Sequence, residues 1–180
     1  AAVCMSRYNY HNSVKSTIGA VRLKSVGKNL FNPYSNNMTT RGNPNITRLP
    51  DGIQIISPQA NTWTYVVFKN IKLKPNTTYY LNYNAEVIGS GYNLVYVDYA
   101  GTTTPIRARK GSFISPADGL IDIRFYSTIN IASVGSGMKY TNIQLEEGTT
   151  ATAYEPYRES NAYVVAADKD TGKILELRSL

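Results

Sequence analysis

Apolar and polar residues alternate in short runs along this chain, and Gly, Pro, Asn and Ser separate the runs. A period of two sends successive side chains to opposite faces of a strand. Many short strands with turn residues between them are the pattern of a β-sandwich or barrel. No segment longer than a turn or two carries a helical period. Residues 21–26 alternate most cleanly, and residues 53–57 and 63–68 read as the next strands. Between them, residues 43–52 read as a loop, because Pro44, Pro50 and Asp51-Gly52 interrupt them. Ile71 and Leu73 point inward, Pro75-Asn76 turns the chain, and a strand follows over residues 79–88. Its core face carries Tyr79, Leu81, Tyr83, Ala85 and Val87; its other face carries Tyr80, Asn82, Asn84 and Glu86.

The same logic runs on. Over residues 92–99, Val95 and Val97 face inward, with Tyr92, Tyr96 and Asp98 outward. Over residues 120–126, Ile121, Ile123 and Phe125 go in, with Asp122, Arg124 and Tyr126 out. A last strand of the body covers residues 138–146, with Ile143 and Leu145 on one face and Asn142, Gln144 and Glu146 on the other. A slip of one residue would exchange the faces, so the alternation sets register. Stacking these strands side by side predicts one polar face made of Tyr80, Asn82, Asn84, Glu86, Tyr96, Asp98, Arg124, Tyr126, Asn142 and Gln144. Trp63 and Tyr65 form a smaller aromatic pair near a loop, and Trp63 reads as core packing or a subunit contact.

The expected architecture is therefore all-β, an antiparallel β-sandwich over residues 21–157. An arm or linker precedes it in residues 1–20. A C-terminal β-hairpin over residues 158–180 turns at Asp168-Lys169-Asp170-Thr171-Gly172 and leads to the next element.

Two stretches stand out for their wording. NIQLEEGTTATAYEPY, residues 142–157, breaks its strand at Gly148, crosses Thr and Ala, and closes on Tyr154-Glu155-Pro156-Tyr157. It reads as a final strand and a strap whose tyrosines pin the exit segment to the sheet. With VRLKSVGKNLFN at residues 21–32, it resembles the two ends of jelly-roll carbohydrate-binding modules carried by tail, baseplate and fibre proteins of bacteriophages. The resemblance implies a jelly roll that contacts bacterial surface glycans without catalysis, located in the virion tail and assembled in the host cytoplasm. It implies other tail subunits as partners, in a homo-oligomer that is trimeric if it belongs to a fibre. Bacterial cell-wall polysaccharide or teichoic acid would be the ligand. The alternative is a purely structural tail or fibre domain that mediates subunit assembly without sugar. A bacterial surface module is a weaker option. Cellular modules of this kind usually show a tryptophan-rich cleft, and this chain has 1 Trp.

Composition sharpens this a little. There are 15 Tyr against 4 Phe, and tyrosine joins a flat apolar ring to a hydroxyl, which suits adhesive, wetted surfaces. The net charge of +7 is scattered, with only Arg107, Arg109 and Lys110 close together, and no recognition-helix pattern accompanies it, so acidic wall polymers suit it better than nucleic acid. No stretch is apolar enough for a membrane span, and no signal peptide is visible. The single Cys4 excludes an internal disulfide and fits folding in a reducing cytoplasm. Three Asn-x-Thr triplets read as polar loops.

Catalysis finds little support. The only histidine, His11, lies in the unpatterned arm, so a nucleophile has no base, and no phosphate-cradling glycine loop is present. Glu86, Asp98 and Asp122 are the acids on the polar face. The turn at residues 168–172 echoes a calcium loop but lacks its full acidic set. No cofactor is expected, and a structural calcium is the only metal entertained.

Overall fold

The computed structural model describes residues 21–130, 132–167 and 174–179. Strands and turns make up all of it, with no helix among the described residues. The chain divides into two compact units, one spanning residues 28–157 and one joining the segments on either side of it. In the flanking unit, β1 (Val21–Val26) pairs antiparallel with β12 (Glu159–Ala167), and β12 pairs with β13 (Ile174–Ser179). Residues 21–26, expected to open the sandwich, thus belong to this separate three-stranded sheet. Residues 1–20 and the turn at 168–172 lie outside the described residues.

The larger unit is a β-sandwich of two antiparallel five-stranded sheets. The first sheet runs in the order β2 (Met38–Arg41), β5 (Thr64–Lys72), β10 (Leu120–Thr128), β7 (Val95–Tyr99) and β8 (Pro105–Ala108). The second runs β3 (Asn45–Leu49), β4 (Gly52–Ile56), β11 (Gly137–Glu147), β6 (Thr78–Ile88) and β9 (Gly111–Ile114). Residues 45–49 are therefore a strand rather than part of a loop. The breakers Pro44 and Pro50 bound that strand, and Pro50-Asp51 forms the two-residue turn into β4.

Inward side chains from both sheets make one core. Phe31, Phe68, Phe125, Tyr83 and Tyr140 form its aromatic centre, with ring centres 4.8 Å apart for Phe31–Phe68, 5.1 Å for Phe125–Tyr140 and 5.6 Å for Tyr83–Tyr140. The hydroxyl of Tyr140 donates across the sandwich to the Tyr126 carbonyl at 2.8 Å, so a phenol is buried without an orphaned donor. The tyrosine excess is thus partly structural: Tyr79, Tyr83 and Tyr140 are core residues.

Register along β11 changes parity. Met138 and Tyr140 face the core, as do Ile143 and Leu145. An irregularity between Thr141 and Gln144, with Asn142 at a φ of 49°, inserts the residue that switches faces. The β3–β4 turn docks on it, with Asn142 N–H donating to Asp51 Oδ2 and Ile143 N–H to the Asp51 carbonyl. On β6, Tyr79, Leu81 and Tyr83 are buried as expected, but Ala85 and Val87 are exposed. They are register partners of the buried Tyr140 and Met138. Strand β9, however, pairs only with residues 78–81, so this part of β6 has no neighbour on that side.

Part of the outer face of the second sheet is covered by the chain leaving the sandwich. Gln144 and Glu146 are buried there beneath residues 149–155. The Glu146 carboxylate accepts from the Thr152 backbone (2.9 Å) and hydroxyl (2.6 Å) and from Gln144 Nε2 (2.7 Å), while Gln144 Oε1 accepts from Glu155 N–H at 2.7 Å. Lys28 Nζ adds bonds to the Thr152 hydroxyl and Ala153 carbonyl and a 3.1 Å ion pair with Glu155. At the seam, the side chain of Asn29, buried, donates to the carbonyls of Ile143 and Glu155 and accepts from the N–H groups of Phe31 and Leu145. Polar side chains on β11 and near residue 28 therefore pin the strap, whereas Tyr154 and Tyr157 remain half-buried.

Candidate functional site

The predicted polar face divides in two. Tyr80, Asn82, Asn84, Glu86, Asn142 and Gln144 belong to the second sheet, and Tyr96, Asp98, Arg124 and Tyr126 belong to the first. The outward direction of each strand was legible, but the chain crosses between sheets from β6 to β7 and from β10 to β11, so outward residues collect on opposite sides of the sandwich. Of the six on the second sheet, Gln144 is consumed by the strap and Glu86 pairs with Lys139 at 3.5 Å. The four on the first sheet converge.

Their outer face is a grid fixed by register. Arg124 on β10 lies between Val67 on β5 and Tyr96 on β7, and Thr39 on β2 extends that row. One row toward the end of β10, Tyr126 lies opposite Tyr65; one row toward its start, Asp122 lies opposite Asp98. The guanidinium of Arg124 is 5.0 Å from the ring centre of Tyr96, 5.5 Å from Tyr126 and 5.6 Å from Tyr65. Three π-faces around one cation are mutually stabilising where water is thin. Trp63 stands edge-on to Tyr126 at 5.7 Å and is 38% exposed, so it is a rim residue of this face and not core.

Asp122, Arg124, Tyr126 and Asp98, expected to face outward, are all buried. Two features cover them. The tyrosine rings enclose Arg124, and the 101–104 loop folds back over the sheet. Arg124 Nη2 meets the two carboxylate oxygens of Asp98 at 3.0 and 2.9 Å. Asp122 accepts from Lys69 Nζ, from Asn70 N–H at 2.8 Å and from Gly101 N–H at 3.0 Å. Burial pushes the Asp98 carboxyl above its ordinary value, against the opposing pull of Arg124. Burial likewise raises the Tyr126 phenol, again opposed by Arg124. Breaking such a pair from one side leaves a buried charge alone, at a cost of about 3–5 kcal/mol.

Between the loop and the sheet lies a cavity of about 560 Å³, lined by Tyr65, Val67, Lys69, Asp98, Arg124 and a rim of threonines from β2 and the loop. That size is ordinary for a small-ligand pocket. Its walls offer the Tyr65 ring, hydroxyls and fixed charges. The face holds no nucleophile with a base beside it, and no group of three His, Cys, Asp or Glu among the described residues is placed to hold a metal ion. Tyr65, Val67, Lys69 and the threonines were absent from the expected site. Val67 and Lys69 did signal outward positions by alternation on their strand; the loop's return over the sheet left no sequence signal.

Comparison with known families finds no family model that matches the chain, and comparison with curated proteins finds no match either. Among the described residues no helix is long and apolar enough to cross a membrane.

Proposed function

We propose that residues 28–157 form a jelly-roll module of a bacteriophage tail, baseplate or fibre protein that binds bacterial surface glycans without catalysis. The strand order supports the jelly-roll reading: β4-β11-β6-β9 faces β5-β10-β7-β8, the arrangement of two Greek keys wrapped on one another. The phage setting, virion location and oligomeric assembly rest on the likeness of the two end motifs. The observation that carries the binding function is the cleft itself. Tyr65 lines it beside Arg124, threonine hydroxyls and the buried Asp98 carboxylate, with Tyr96 half-buried against the same guanidinium, and that set offers a stacking face and hydrogen-bond partners to a sugar ring. Single-site affinity is weak in this reading, and many copies on one particle raise the effective concentration.

The test is a panel of purified bacterial wall polysaccharides, measured by titration calorimetry against the native chain, Tyr65→Ala and Tyr96→Ala. Binding of a panel member by the native chain, weakened about tenfold in either variant (about 1.4 kcal/mol), supports the module as an adhesin. Undiminished binding in both variants removes the cleft from the proposal.

The alternative, a spacer that assembles with neighbouring subunits without sugar, draws on a different observation. Ile114 on edge strand β9 and Val87 on the open side of β6 are 62% and 54% exposed. A panel with no binder, together with a stable oligomer in sedimentation, favours that reading.

A further inference from the structure

Building on the glycan-binding reading, we infer that the cleft is closed at one end and takes the terminus of an uncharged saccharide chain, not its interior. The outward residues of β5 give the cleft its long axis. Lys69, Val67 and Tyr65 follow one another at two-residue steps, and Trp63 continues the line just before the strand, outside the cleft lining. The part that lines the cleft, Lys69 to Tyr65, is about 13 Å long at roughly 3.3 Å per residue, enough for about two sugar rings.

The two ends of that line differ. At the Lys69 end, the Asp122 carboxylate gathers Lys69 Nζ, Asn70 N–H and Gly101 N–H, which ties the β7–β8 loop across the outer face of the sheet. The loop is also braced from within: the Thr102 hydroxyl donates to the Tyr99 carbonyl at 2.9 Å and accepts from Thr104 N–H at 3.1 Å. Loop residues 101–104 all line the cleft, so they form a fixed wall there. At the other end, the Trp63 ring is held on one edge by Tyr126 and is 38% exposed. A chain can leave over Trp63; it meets the loop in the opposite direction.

The charges of the lining select against ionic ligands. Lys69 and Arg124 are each paired with a buried carboxylate, Asp122 and Asp98, so the cleft presents no net charge. Arg41, exposed and opposite Tyr65, lies outside the lining. Arg124 Nε is the one buried side-chain donor among the described residues with no acceptor.

The experiment uses the native chain and any wall polysaccharide that the panel retains, as intact polymer and as its partial acid hydrolysate at equal mass. Calorimetric stoichiometry counts sites per gram. Terminus recognition makes sites per gram rise in proportion to the number of chain ends, with an unchanged Kd, and makes neutral polymers outbind acidic ones. Constant or falling sites per gram after hydrolysis overturn the blind-ended cleft while leaving glycan binding intact. A preference for acidic polymers overturns the charge argument. If no panel member binds, the glycan reading fails and takes this inference with it.

Discussion

Asn29→Ala tests the seam that joins the two ends of the sandwich. The side-chain amide has two donors and two acceptor sites, and here all are used. Nδ2 donates to the Ile143 carbonyl at 2.8 Å and the Glu155 carbonyl at 3.0 Å, while Oδ1 accepts from Phe31 N–H at 3.0 Å and Leu145 N–H at 3.1 Å. The residue is 1% exposed, so truncation strands the Ile143, Phe31 and Leu145 groups away from water, whereas the Glu155 carbonyl lies in a more open segment. At about 1–3 kcal/mol for each stranded group, less than additive because they share one site, the loss is about 4 kcal/mol. With a urea m-value of about 2 kcal/mol/M, the unfolding midpoint falls by about 2 M. Asn29→Asp keeps the shape and both accepted bonds but turns an oxygen toward two carbonyls, so it should destabilise comparably. Urea unfolding followed by tyrosine fluorescence reads both variants. A midpoint shift below about 0.5 M for Asn29→Ala would refute the idea that this residue holds the entering and leaving chain together.

Two predictions concern pH. Burial pulls the Glu146 carboxyl up, but the bonds from Thr152 and Gln144 and the nearby Lys28 outweigh it and hold the group below its ordinary 4.5. A depressed carboxylate contributes stability above its unfolded value that disappears as pH falls through the folded one. The urea midpoint should therefore drop as the solution is acidified below 4.5, and Glu146→Gln should flatten that drop. An acid profile unchanged by the substitution would count against the strap bonds. At the alkaline side, burial pushes the Tyr83 phenol from 10.0 up to about 12. A raised phenol contributes stability that is complete below 10.0 and lost as pH rises toward about 12. Tyrosinate absorbance should show Tyr83 silent in the folded chain through that window, and Tyr83→Phe should reduce the loss of stability there; titration of that phenol at an ordinary value would contradict its core position.

Period-two burial carried the sequence reading a long way. Val95, Val97, Ile121, Ile123, Phe125, Ile143 and Leu145 face the core as their alternation requires, and the sandwich follows from them. The failures share a cause: alternation describes a strand and not its neighbours. It placed Ala85 and Val87 on the core face of β6 but carried no information about where β9 stops pairing. It set Arg124 and Tyr126 outward, yet burial came from a loop and from neighbouring rings. It let ten outward residues be drawn as one face, because sheet membership depends on long-range pairing between strands far apart in sequence. The pair of end motifs was legible as wording, and its reason appears only in space, where Asn29 from one motif bonds to Ile143, Leu145 and Glu155 from the other.

That seam also sets which side of the sandwich the exit segment covers. A two-sheet sandwich has two outer faces, and a priori either suits a ligand. In this chain the strap lies on the second sheet, where Gln144 and Glu146 spend their hydrogen-bonding capacity on residues 152–155. On β6, Tyr80 and Asn82 are half-buried and Asn84 and Glu86 exposed, with Glu86 already paired to Lys139. On the first sheet the covering element is a short loop fixed at one end of the face, which leaves the rest of the grid from Arg124 to Trp63 flanked by aromatic rings with no strap above it. On the second sheet the buried Gln144 and Glu146 are satisfied by the protein itself, whereas the buried Arg124 Nε on the first has no acceptor. The strap over part of the second sheet and the cleft on the first are the physical asymmetry on which the proposed binding face rests.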